Sequence, residues 1–247
     1  MTKTPLLFKN KKSLLLAISM VILSQPAFSQ IFSEEKIKNL ENFDKKVLTW
    51  GFFLGLNQYD YQFKYNEDLK DILVETSAGF SVGLISDLRI SNHFNLRFEP
   101  GLFITQRDLQ YDESYFDGLE FNDSDLLREV RSTYVHFPLL LKVSTKRLNN
   151  FKPFIMGGFS TSLNLSSNEN NPDDNSAGEF RTKRNMLFYE LGFGVDFYLE
   201  WFKFTPSIRG IFAINDEIVP DVDPNSPWTG NVESMRTRGV FLNFTFQ

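Results

Sequence analysis

Apolar and polar residues alternate with a period of two along most of the chain, the spacing of strands with one greasy face. In the closing stretch RGVFLNFTFQ, Val240, Leu242, Phe244 and Phe246 share one parity; Gly239, Phe241, Asn243 and Thr245 share the other. TWGFFLGLNQY sets Trp50, Phe52, Leu54 and Leu56 against Gly51, Phe53, Gly55 and Asn57. AGFSVGLISDLRI sets Phe80, Val82, Leu84, Leu88 and Ile90 against a parity that holds Ser81, Asp87 and Arg89. In NLRFEPGLFITQRDL, Leu96, Phe98, Leu102 and Ile104 oppose Arg97, Glu99, Thr105 and Arg107. The same rule separates Val135, Phe137, Leu139 and Leu141 from His136 and Lys142, and Ile155, Phe159 and Leu163 from Gly158, Ser160 and Ser162. It separates Leu187, Tyr189, Leu191 and Phe193 from Glu190 and Asp196, and Phe202, Phe204 and Ile208 from Lys203, Thr205 and Arg209. About eight segments result, each near the ~10 residues of a tilted membrane-spanning strand.

The connections alternate as well. Short turns at 91–93, 145–150 and 200–201 are interleaved with longer polar stretches at 66–76, 111–129, 166–185 and 215–236. Short turns on one rim and long loops on the other are the mark of an outer-membrane barrel. The pattern therefore predicts an all-β fold, an eight-stranded antiparallel transmembrane β-barrel over 47–247. An even count places both ends of the mature chain in the periplasm and the four longer loops outside. A soluble up-and-down barrel would turn the apolar parity inward. A barrel of that size has room for little more than packed side chains, and about five bulky residues per strand exceed it. The apolar parity is therefore expected to face lipid, and closure to remove the edges that a bilayer cannot hydrate.

The front of the chain places the barrel in its compartment. Lys3, Lys9, Lys11 and Lys12 precede an apolar run from Leu14 to Leu23, followed by Ala27-Phe28-Ser29. This reads as a signal peptide over 1–29, too short in its apolar run for the ~20 residues of a spanning helix. Residues 30–46 form a charged leader, expected in the periplasm. Aromatic residues make up 15% of the chain and Phe alone contributes 27, an excess that suits strands and membrane interfaces. The absence of Cys excludes disulfides, thiolate metal sites and Cys nucleophiles. A net charge of −5 leaves no basic footprint for nucleic acid.

Chemistry is sparse. The parity opposite the apolar one holds Asp87, Arg89, Arg97, Glu99, Arg107, His136, Lys142, Glu190, Asp196, Lys203 and Arg209, with the two signs nearly balanced. Buried charges persist when paired, so the expectation is a structural charge network that plugs a narrow lumen; a conducting or catalytic lumen is the sharper reading. No nucleophile elbow or glycine-rich phosphate loop appears, and His93 and His136 lack metal-ligand spacing. No catalytic, cofactor or metal residues are expected, and no enzyme. Asp221, Asp223 and Asn225 could open a calcium loop, but Ser226 stands where the Gly belongs and Val232 where the bidentate Glu belongs. That loop reads as a solvated segment in which Asp216, Glu217, Asp221, Asp223 and Trp228 could meet a protein partner. The stretch 168–184, acidic then basic, reads likewise.

Several stretches, LRFEPGL, STYVHFPLLLKVSTKRLNNFKPF, NNPDDNSAGEFRTK, YELGFGVDFYL, FTPSIRG, DPNSPW and RGVFLNFTF, together resemble the PorT (SprT) family over nearly all of the mature chain. That family comprises small outer-membrane barrels of the type IX secretion and gliding-motility apparatus. The resemblance implies a part in protein export, with other secretion-system proteins of the outer membrane or periplasm and the lipid bilayer as partners, and no catalytic residues. Three functions follow as expectations: a non-enzymatic accessory of secretion, a small pore or ligand-binding barrel, and, last, an outer-membrane enzyme.

Overall fold

The computed structural model describes residues 38–247. The signal peptide expected over 1–29 and the leader as far as residue 37 lie outside the described residues. Ten antiparallel strands make one closed sheet: β1 (Leu48–Tyr65), β2 (Leu73–Thr76), β3 (Ala78–Arg89), β4 (Phe94–Phe98), β5 (Gly101–Gln110), β6 (Leu127–Ser144), β7 (Phe151–Asn164), β8 (Asn185–Tyr198), β9 (Lys203–Ala213) and β10 (Val232–Phe246). The count corrects the eight expected. Only Ser77 separates β2 from β3, and both pair with β5; only Glu99 and Pro100 separate β4 from β5, and both pair with β3 and β6. Pro100 has no N–H for the ladder, which interrupts the second pair. Beyond Gln58 the β1 ladder to β3 ends, and β2 is held to β1 there by a Gln58–Thr76 side-chain hydrogen bond of 2.7 Å.

The last strand closes the sheet. β10 pairs with β9 on one side and with β1 on the other, from Phe52 opposite Phe246 to Tyr65 opposite Val232. Phe52 and Phe246 stack at 5.2 Å, and Gln247 exchanges both backbone hydrogen bonds with Lys203. Over 52–58, β1 is paired with β10 on one side and β3 on the other, which closes the wall across the apolar band as a bilayer requires.

The apolar parity faces outward. Trp50, Phe159, Leu191 and Phe193 are exposed by 60% or more, whereas their neighbours in sequence are buried or half-buried. The inward face is built by complementarity of size. A methyl group on Gly83 would lie 2.5 Å from the Phe53 ring, and one on Gly101 2.7 Å from it, so both positions stay bare to admit that ring.

The strands run further than their apolar parity predicts. β1 and β6 have 18 residues each, so the polar stretches read as loops at 73–76, 127–129 and 232–236 are strand. The alternation continues there with its sense inverted. Outward positions become Gln58, Asp60, Arg238, Glu129 and Arg131, with ion pairs Arg238–Asp60 at 2.6 Å and Arg131–Glu129 at 2.7 Å. Inward positions become Tyr61, Leu109, Val130 and Met235, which form an apolar core with Ile72, Tyr111, Phe116, Phe180 and Ile218 from the loops. The wall thus has a lipid-facing band and, toward the long loops, a water-facing collar with its own core.

A closed ladder resists detergent while folded. The unboiled protein is therefore expected to migrate differently from the boiled one on a denaturing gel. Identical migration, with recovery in the soluble fraction, would refute a membrane barrel.

Candidate functional site: a filled lumen and a basic vestibule

The ladder brings the inward charges of β3, β4, β8 and β9 to one level. Arg97 pairs with Asp87 at 2.8 Å and with Glu99, the residue between β4 and β5, at 3.3 Å. Arg209 pairs with Glu99 at 2.7 Å and with Glu190 at 2.9 Å. His136 Nε2 lies 2.7 Å from Glu190, and its Nδ1 meets the Ser162 hydroxyl. Asn95 donates to Asp87 at 2.7 Å and completes the chain. The charged residues of this network are buried, so each charge has lost water and gained a fixed partner. A second, smaller group joins Lys142 to Asp196 at 2.6 Å, with Thr205 donating to Asp196 at 2.8 Å.

Above the charges lies an aromatic layer that parity alone does not announce. Phe103 meets the His136 ring at 5.1 Å and Phe241 at 4.8 Å; Tyr59 meets Phe241 at 5.3 Å and Tyr134 at 5.5 Å. Arg107 sits beyond this layer and joins none of the carboxylates of the lower network. It donates to Ser132, Tyr134 and Thr237 at 2.9–3.1 Å, and its guanidinium lies 4.0 Å from the Tyr61 ring centroid. Arg89 lies at the short-turn rim, bonded to the Lys45 carbonyl and to Asn92. Lys203 is buried at the same end with no carboxylate within ion-pair distance among the described residues.

The loop expected to offer partner contacts packs most of the five residues named for them against the barrel. Glu217 is fully buried: it accepts from Tyr134 at 2.6 Å and from Thr237, and it faces the Arg107 end of the lumen. Asp221 accepts from the Asn175 side-chain amide and from the Ser226 hydroxyl. Asp216 caps the N–H of Met235 at 2.8 Å. Trp228 donates to the Asp125 carbonyl at 2.9 Å, packs edge-on against Phe116 and lies under Arg128. Of the five, only Asp223 is exposed, its carboxylate accepting from the Asn225 N–H. The physical reason is the inverted collar: its inner face is apolar and needs a lid, and 214–231 supplies one. A Lys70–Asp112 ion pair of 2.6 Å ties two other loops over the same end. The Lys70 and Ser114 bonds hold the Asp112 carboxyl down, at about 2.

At the short-turn end the lumen opens into a cavity of 290 Å³. The described part of the leader covers it. Asn39 bonds to Asn150 and to the Tyr198 carbonyl at 3.0 Å each, and Asp44 accepts from the Tyr198 hydroxyl at 2.6 Å. Residues 38–46 of the charged leader therefore dock on the rim.

Among solved structures the chain is similar to the outer-membrane protein OprG of Pseudomonas aeruginosa, at 12% identity and a TM-score of 0.49, covering 80% of this chain and 94% of that one. It is also similar to Neisserial surface protein A, at 10% identity and a TM-score of 0.41, covering 81% and 98%. No curated protein matches it. The model of the family described as "Outer membrane protein beta-barrel domain" matches residues 28–219, well over half of the sequence, and the chain with its closed sheet and lipid-facing band belongs to that family of the bacterial outer membrane.

Proposed function

We propose that this barrel is a non-enzymatic component or accessory of a protein secretion system of the type IX and gliding-motility kind, acting through contacts with other proteins of the outer membrane or periplasm. The observation that carries the adaptor reading is the filled lumen. Charge network, aromatic layer and folded loops occupy it in succession, so a wall with surfaces remains and no channel for a polypeptide. The secretion role rests on the resemblance of stretches such as STYVHFPLLLKVSTKRLNNFKPF to the PorT family. The orientation that suits it has both chain ends in the periplasm and the long loops outside. Contact residues are then sought on the exposed loop tips, where Leu119 and Val222 are apolar and exposed.

The test is co-purification from outer membranes in mild detergent, together with exported cargo per folded barrel. Leu119→Asp combined with Val222→Asp is expected to reduce both while leaving the heat-dependent gel shift intact. Glu190→Gln in the lumen is expected to leave export unchanged. Loss of export from the lumen change alone, at normal barrel levels, would replace the adaptor with a working lumen.

A further inference from the structure

The short-turn cavity has a charge balance opposite to that of the chain. Seven basic side chains line it against three carboxylates, in a protein of net charge −5. The carboxylates are already engaged: Asp196 with Lys142, Asp87 with Arg97, and Asp44 with the Tyr198 hydroxyl, 3.6 Å from Arg147 and 4.0 Å from Lys152. Lys46, Arg89, Lys146 and Lys203 have no carboxylate within ion-pair distance among the described residues. Lys203 matters most. It is 96% buried, being 4% exposed; its ammonium lies 4.7 Å from the Phe43 ring centroid, and Asp196 and Asp87, each held by another cation, act on it only from beyond ion-pair distance. A buried ammonium that no carboxylate contacts directly gains from an anion that joins it.

We propose that this cavity binds a phosphate-type oxyanion, a free phosphate or the headgroup of a phosphomonoester lipid, with Lys203 at its floor and the leader segment 38–46 as its lid. Its volume admits a phosphate with a small substituent. Lysines act as point charges toward a multiply charged, near-spherical anion. A dianion offsets the excess of four cations better than a single carboxylate does. Asp44 is the built-in competitor: it holds a carboxylate at the mouth on Tyr198, Arg147 and Lys152, and its neighbour Phe43 covers Lys203. An incoming anion must share or displace that position.

The experiment titrates the full mature barrel, in neutral detergent micelles and phosphate-free buffer, with inorganic phosphate by calorimetry. A parallel arm uses micelles doped with phosphatidic acid. Saturable binding of inorganic phosphate identifies a soluble anion; binding of phosphatidic acid alone identifies a lipid headgroup. Lys203→Gln is expected to weaken binding about tenfold or more, the loss of one charge-assisted contact. Asp44→Asn is expected to tighten it severalfold. The gel shift verifies folding of each variant. Should Lys203→Gln fail to fold, the double change Lys46→Gln with Lys146→Gln at the mouth must weaken binding in its place. Absence of saturable binding in both arms overturns the proposal, and so does binding that none of the folded variants alters.

Discussion

Arg97→Met should lower the stability of the folded barrel by about 3–5 kcal/mol, the scale for removing one partner from a buried ion pair. Arg97 is fully buried and bridges Asp87 and Glu99. In the lower network two guanidiniums, Arg97 and Arg209, face three carboxylates, Asp87, Glu99 and Glu190. Met in place of Arg97 leaves one guanidinium against three buried carboxylates. Arg97→Lys should fall between the two, since it keeps the charge and loses the fork that spans both carboxylates. The check is the urea midpoint of the gel shift after refolding into lipid vesicles. A midpoint for Arg97→Met within error of the unchanged protein would mean that the network contributes nothing to holding the wall together.

Leu191→Arg should block insertion or lower stability by about 2–4 kcal/mol, the cost of a cation facing lipid near the midplane. Leu191 is 61% exposed and opposes Gly157 and Gly210 in the middle of β8. Its neighbour Glu190 is buried, and Glu190→Gln should be milder. It leaves two guanidiniums facing two carboxylates, and Gln can still accept from Arg209. The pair of variants tests which face meets lipid with one residue of separation. If Glu190→Gln prevents folding and Leu191→Arg inserts normally, the wall faces the other way.

The apolar parity was readable without coordinates because period-two alternation is a local property. Trp50 to Leu56 on one face, with Phe53 and Asn57 on the other, needs only the pleat of a strand. The inward charges were readable for the same reason. Parity says which face a charge takes, and does not say which charge it meets. Arg97, Glu99, Arg209 and Glu190 come from three distant stretches, and only the register of β3 through β9 sets them at one height. Arg107 shares their parity and sits a layer away, beyond Phe103 and Phe241, because it lies further along its strand.

The strand count and the loop boundaries were misread where hydrophobicity was taken as the strand itself. In NQYDYQFKY the alternation persists, with Tyr59, Tyr61, Phe63 and Tyr65 on one parity and Gln58, Asp60 and Gln62 on the other. The switch of the bulky residues from the outward to the inward parity was the available signal of the collar. The interruptions at Ser77 and at Glu99-Pro100 were less visible, since short breaks leave the parity of the flanking segments intact.

Local sequence therefore decided strand, face and membrane band, because each depends on residues two apart. Tertiary structure alone decided that Glu217 and Asp221 are buried in a lid, that 38–46 close the rim, and that Lys203 is buried with no carboxylate in direct contact. Those outcomes depend on groups far apart in the chain, such as Glu217 with Tyr134 and Asp44 with Tyr198. A polar loop and a charged leader look solvated residue by residue. Only closure of the barrel creates the apolar collar and the basic cavity that draw them in.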